Sequence, residues 1–125
     1  MLAAELAALD FCYVTTTGRT TGRPHRIEIW FAAAPARDTI YLLAGGRERA
    51  DWVRNLRACP SVHVEIGRRT FAGTGRIVEG DAEDAPARRL VFEKYRMRED
   101  LDEWRDTALP VAIDLEIDGP LRPRG

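Results

Sequence analysis

The chain has 125 residues, enough for one domain with little room for a second. Its 45% hydrophobic content supports a real core, and 19 Lys plus Arg against 20 Asp plus Glu leave no bulk basic field for a nucleic acid partner. No stretch approaches the ~20 apolar residues needed to cross a bilayer, no basic, apolar leader precedes the first strand, and the two cysteines form no C-x-x-C; a reducing cytoplasm is the expected setting.

In chain order, residues 3–9 read as a short helix and 11–17 as a strand rich in aromatic and β-branched residues. Gly18 and Gly22 bracket a turn. A second strand runs over 26–31, with Ile27, Ile29 and Phe31 on one side and Arg26, Glu28 and Trp30 on the other. The two strands should form a hairpin. A third strand, 39–44, ends at Gly45-Gly46. A helix over 48–57 follows, with Trp52, Val53 and Leu56 inward, and Pro60 stops it. A fourth strand alternates through Val62, Val64 and Ile66, and a fifth covers 70–78. Residues 81–97 read as a helix capped by Asp81, with Pro86 near its first turn. A helical turn over 101–107 carries Trp104. Val111, Ile113, Leu115 and Ile117 mark a last strand.

About six antiparallel strands with flanking helices make a mainly β (α+β) domain, a barrel or a sandwich, over 1–118; 119–125 is expected to be a flexible tail.

The strongest chemical feature is Thr15 to Arg26. It holds Arg19, Arg23, Arg26, His25 and five threonine hydroxyls, and no acid occurs between Phe11 and Ile27. Glycines that let backbone N–H groups approach, short hydroxyl donors and forked guanidinium groups are what a phosphate needs. A solvated hairpin tip has the same composition. The strand-to-helix context and the G-K-[ST] ending of a nucleotide-binding loop are missing. Trp30 shares a face with Arg26 and either lines a slot for a planar ring or packs under a helix. Gly45-Gly46 either admits a ligand at a helix start or satisfies a positive φ. Gly73 and Gly75 share a face and leave a trough, more simply explained by a bend of the strand. Asn55 has two partners available, a heterocycle edge or a loop carbonyl. His25 and His63 lack metal-ligand spacing, so no metal site is expected. No paired carboxylates or activated nucleophile stand out, as suits an oxidoreductase whose cofactor carries the chemistry.

The run from Thr15 to Phe31, followed by Gly45-Gly46 and then Asp51-Trp52-Val53-Arg54-Asn55-Leu56-Arg57-Ala58-x-Pro60-x-Val62, resembles the deazaflavin (F420)-dependent nitroreductase family. The likeness runs in order from about Phe11 to Leu115. It implies a split β-barrel related to flavin mononucleotide-binding proteins. It also implies an enzyme that passes hydride from reduced coenzyme F420 to a quinone, nitro compound or activated alkene. Carried over by motif, Arg19, Arg23 and Arg26 would meet the cofactor's phosphate and acidic tail, in a pocket shaped by Thr17, Gly18 and Gly22. Ala44, Gly45 and Gly46 would lie along the ring, with Trp52 and Asn55 nearby, and Ile27, Ile29 and Trp30 would contribute to its wall. A proton would come from solvent, Tyr41 or Tyr95. Related barrels build sites at subunit contacts, so a homodimer is implied. The stretch before the first strand is shorter than in many relatives, which speaks against membrane association. The loop from Gly46 to Trp52 is a residue shorter than in the better-known branch, which leaves the ring contacts open. A flavin mononucleotide-dependent reductase and a cofactor-binding protein without turnover are the alternatives.

Overall fold

The computed structural model describes residues 2–98 and 100–117. The expected tail lies outside these residues. Seven strands form one curled antiparallel sheet, a split barrel, in the order β2-β1-β5-β6-β7-β4-β3. Their bounds are β1 Cys12–Thr17, β2 Pro24–Ile29, β3 Ala32–Ala33, β4 Thr39–Ala44, β5 Ser61–Ile66, β6 Arg69–Ile77 and β7 Leu109–Leu115. The helices are α1 Ala4–Ala7, α2 Asp51–Ala58, α3 Asp84–Tyr95 and α4 Asp102–Thr107. No helix among the described residues is long and apolar enough to cross a membrane.

Two apolar layers explain the strand sequences. β1, β5 and most of β6 are buried on one side only and alternate accordingly, while β2, at the sheet edge, half-buries only Ile27 and Ile29. Val14 lies opposite Ile27 and Val64, so the inward residues of three strands meet. β4 is buried throughout: Ile40 and Leu42 enter the barrel core, while Tyr41 and Leu43 pack against α3. That two-sided burial is why Thr39–Ala44 reads as a continuous apolar run. β7 does the same, with Val111 and Ile113 inward and Ala112 toward α3.

The structure adds one strand to the expected six. Ala32–Ala33 pairs with Ile40 and Tyr41, a bridge that two alanines do not announce. β2 ends at Ile29, so Trp30 and Phe31 lie beyond it. The helix expected over 48–57 divides into a 3₁₀ turn, Arg47–Arg49, and α2, because Ala50 is extended at φ −63 and ψ 134. α3 is shorter than expected at both ends. Asp81 acts ahead of it, its Oδ1 accepting from the Glu83 N–H at 2.6 Å, and the Asp84 carboxylate accepts from the Gly80 N–H at 2.7 Å. The last strand stops at Leu115, while Ile117 still packs on the barrel core.

α3 also holds the chain's N-terminal segment. The ammonium of Lys94 donates to the carbonyls of Ala7, Leu9 and Phe31 at 2.7–2.9 Å and lies 3.7 Å from the Phe31 ring centroid. The Tyr95 hydroxyl donates toward the Asp10 and Phe31 carbonyls and accepts from the Phe31 N–H. Lys94 is the only lysine in the chain. A compact ammonium with three divergent N–H groups suits three carbonyls in this space; a planar guanidinium does not.

Candidate functional site

The β1–β2 turn is shaped by its glycines. Gly22 has φ +75, which favours glycine. A Cβ on Gly18 would sit 2.7 Å from His25 Nε2, so its absence lets the imidazole lie across the turn. The Gly18 N–H donates to the Arg23 carbonyl at 2.7 Å, and the Gly22 N–H to the Gly18 carbonyl at 2.8 Å.

α2 docks this turn onto the barrel. Val53 and Leu56 face the core, and Leu56 lies directly over β6. A Cβ on Gly75 would fall 2.3 Å from Leu56 Cδ1, and one on Gly73 would fall 2.7 Å from Ile113 Cγ2. The two glycines thus make room for helix and strand packing. Docking α2 this way buries Asn55 to 2% exposure. Its Oδ1 accepts from the backbone N–H of Arg19 at 3.1 Å and from Arg19 Nη1 at 2.7 Å, and its Nδ2 donates to Thr16 Oγ1 at 3.2 Å. Arg19 Nη2 also meets Asp51 Oδ1 at 3.2 Å. The amide of Asn55 is therefore a strut that sets the position and direction of Arg19.

Beside this strut is a cavity of about 210 Å³ lined by Gly18, Arg19, Thr20, Thr21, His25, Asp51 and Asn55. Donors dominate it; its one acid, Asp51, is paired with Arg19. His25 belongs here because it has the strand parity of Ile27 and Ile29, which pack toward the barrel core.

Arg26 has the opposite parity. It lies on the outer face of the sheet, 2.7 Å from Glu65 and stacked 3.9 Å from the Tyr13 ring centroid, whose hydroxyl donates to Glu28 at 2.9 Å. Arg23 is exposed at the exit of the turn and does not line the cavity. The structure thus separates the three arginines that the sequence reading grouped, leaving Arg19 alone at the cavity wall. Thr17 is exposed at the end of β1, next to Gly18.

The glycine step after β4 forms a second locus. Ala44 is buried, whereas Gly45 and Gly46 are exposed. Neither glycine has a positive φ; Gly46 is at −78, and the left-handed conformation falls on Arg47 at φ +53. A Cβ on Gly45 would make ordinary contact with Trp104 at 3.7 Å, and one on Gly46 with Ala50 at 3.5 Å. Backbone conformation and packing leave both positions open to a side chain, so the bare backbone is not a folding requirement. Arg47 staples the step: Nη1 donates to the Thr107 carbonyl at 2.7 Å and Nη2 reaches both Glu79 oxygens at 2.7 Å. A cavity of about 480 Å³ lined by Gly45 to Arg49 lies beside it. The glycine step precedes the start of α2 and the turn docks on that helix.

Trp30 stacks on Tyr95, with centroids 4.2 Å apart and planes 8° apart, and meets Trp104 edge-on at 5.8 Å. It reaches the glycine step only through Trp104. Ile27, Ile29 and Trp52 are half-buried against the barrel core. Tyr41 donates to Glu83 at 2.6 Å, and burial pushes its hydroxyl up to about 12. Burial likewise pushes Tyr95 up to about 12. Both hydroxyls are engaged in packing, and neither lines either cavity. No group of three or more His, Cys, Asp or Glu among the described residues is placed to hold a metal ion.

The sequence reading counted His25 and the Thr20 and Thr21 hydroxyls in the basic stretch without giving any of them an individual role, and it gave no role to Asp51 or Arg47. Strand parity sets His25, and not Arg26, on the cavity side. The roles of Asp51 and Arg47 arise only when α2 and the glycine step are folded against their neighbours.

A family model described as F420H(2)-dependent quinone reductase matches residues 2–116. A conserved hypothetical protein from Mycobacterium tuberculosis is 24% identical with a TM-score of 0.71, over 94% of this chain and 82% of that one. An F420-H2 dependent reductase, FDR-A, is 24% identical with a TM-score of 0.67, over 86% of this chain and 94% of that one. A structure described as a domain-swapped dimer is 25% identical with a TM-score of 0.67, over 86% of this chain and 80% of that one.

Proposed function

This chain belongs to the F420H(2)-dependent quinone reductase family and is an F420-dependent oxidoreductase, and from that premise we propose that it takes hydride from reduced F420 to a small electrophile, a quinone, nitro compound or activated alkene. The observation that carries this reading is the donor-lined cavity at the β1–β2 turn, where Asn55 and Asp51 hold Arg19 in place before any ligand arrives.

The donor set suits a phosphate. Arg19, the Thr20 and Thr21 hydroxyls and His25 supply charge and hydrogen bonds, and Gly18 keeps the wall low. At about 210 Å³ the cavity is smaller than the roughly 300–1,000 Å³ of a whole-ligand site. We therefore assign the phosphate to this cavity and the ring to the step at Gly45 and Gly46, where the backbone conformation and packing do not themselves call for glycine. When bound, the reduced deazaflavin supplies the hydride. Arg47 fixes the glycine step by its bonds to Thr107 and Glu79, and Trp104 lies beside Gly45 as one wall of the step. Because Tyr41 and Tyr95 are committed to packing, the proton for the reduced substrate comes from solvent.

We also read the protein as a homodimer, in line with the domain-swapped dimer to which it is similar; light scattering checks the mass in solution.

The test is a fluorescence titration with F420 and with flavin mononucleotide. F420 should bind more tightly. Arg19→Ala should weaken it about tenfold or more at low salt, with less effect at high salt. Arg26→Ala, on the outer face, should leave it unchanged. Preferred binding of flavin mononucleotide, or equal effects of the two substitutions, would overturn this assignment.

A further inference from the structure

α2 presents a second basic wall next to the first. Arg54 and Arg57 are exposed and three residues apart, so they share the outer face of the helix. With Arg19 and Ala58 they line a cavity of about 420 Å³. Arg19 is a wall of this cavity and of the cavity at the β1–β2 turn, so the two are neighbours across one guanidinium group. No acid lines the second cavity. Two acids beside α2 are engaged, Asp51 with Arg19 at 3.2 Å and Glu48 with Arg47 at 3.3 Å, and the charge of Arg57 also bears on Glu48. Arg54 spends only its Nε, donating to the Glu48 carbonyl at 3.3 Å. Its two terminal nitrogens, and the whole guanidinium of Arg57, make no hydrogen bond or ion pair among the described residues.

We infer that Arg54 and Arg57 form a second anion subsite, which holds carboxylates of an extended polyanionic ligand whose phosphate sits beside Arg19. The inference rests on the cofactor reading above and assigns the cofactor's acidic tail to α2, in place of Arg23 and Arg26. The shared wall at Arg19 favours this direction. A chain leaving the first cavity past Arg19 would meet the cavity lined by Arg54 and Arg57, whereas Arg26 is on the outer face of the sheet and paired with Glu65. The role is one of affinity and ligand selection; neither arginine lines the cavity at the glycine step, and Arg54 meets it only through the Glu48 carbonyl.

The test compares F420 bearing a glutamate tail with the glutamate-free form that keeps the phosphate, by fluorescence titration at low and high salt. The Arg54→Gln/Arg57→Gln variant keeps good helix formers at both positions. It should weaken the tailed form roughly three- to tenfold at low salt, the range for two exposed ion pairs, and the glutamate-free form less than about twofold. The difference should vanish near 1 M salt, where the screening length is about 3 Å. Arg54→Glu/Arg57→Glu should enlarge it. Equal losses for the two ligands, or no loss for the tailed one, overturn the subsite while leaving the cofactor reading intact. A native protein that binds neither ligand overturns both.

Discussion

Replacing Asn55 by Leu tests the strut directly. The side chain is 2% exposed, and a leucine has the same branched outline without the amide's polar atoms. Three hydrogen bonds disappear, two from Arg19 and one to Thr16. The Arg19 guanidinium is one-third exposed and regains water. Thr16 is 1% exposed and does not, and the Arg19 backbone N–H loses its acceptor. An orphaned buried polar group costs about 1–3 kcal/mol and an ordinary hydrogen bond about 1 kcal/mol, which places the total near 2–4 kcal/mol. For a domain of this length that lowers Tm by roughly 8–16 °C. Calorimetry or thermal circular dichroism measures it. Adding Thr16→Val removes the orphan, so the double variant should be less destabilised than the sum of the single ones. F420 affinity should fall with Asn55→Leu and stay low in the double variant, because Arg19 has lost its guide in both. A Tm within about 2 °C of the native value would refute the strut.

Gly75→Ala should destabilise by roughly 1–3 kcal/mol, since its Cβ would lie 2.3 Å from Leu56 Cδ1 and 2.6 Å from Cγ; a native urea midpoint would show that α2 shifts without cost. Stability should fall as pH rises from 10 through 12. Burial raises Tyr95 from 10.0 to about 12, so over that window the unfolded chain sheds a proton that the native one keeps. Tyr95→Phe should flatten that slope in urea melts followed across pH, and an unchanged slope would count against it. Lys94 acts with the opposite sign. Burial lowers it from 10.5 to about 8, so between those values the native ammonium deprotonates first and stability rises with pH. A Lys94→Met variant should lack this rise.

Much of the architecture is legible in the residues because strands buried on one side must alternate and those buried on both sides cannot. Val62-His63-Val64-Glu65-Ile66 and Thr39–Ala44 are the two cases side by side. Ala32–Ala33 escapes because alanine carries no strand signature. Trp30 was legible as packing or as a slot lining; its stack on Tyr95 depends on a helix sixty residues later. The arginines of the opening hairpin show where reading in one dimension fails. Arg19, Arg23 and Arg26 crowd together along the chain, yet a period of two places His25 and Arg26 on opposite faces of the sheet. Nearness in sequence suggested convergence, and strand geometry divides it.

On the proposed reading, the division shifts the recognition of anions from the hairpin alone to the contact between hairpin and helix. Arg19 points at the cavity because Asn55 holds it, and Asn55 is buried because Leu56 seats α2 on the bare backbone at Gly75. Each step in that chain is a packing event remote from any ligand atom. Affinity for the phosphate and the stability of α2 docking should therefore rise and fall together across substitutions at Gly75, Leu56 and Asn55. Substitutions at Arg54 and Arg57, which are exposed and proposed to meet the ligand, should change affinity while Tm stays fixed. A set of variants in which Tm and affinity vary independently along the first path would break the link between the fold of this barrel and its grip on an anion.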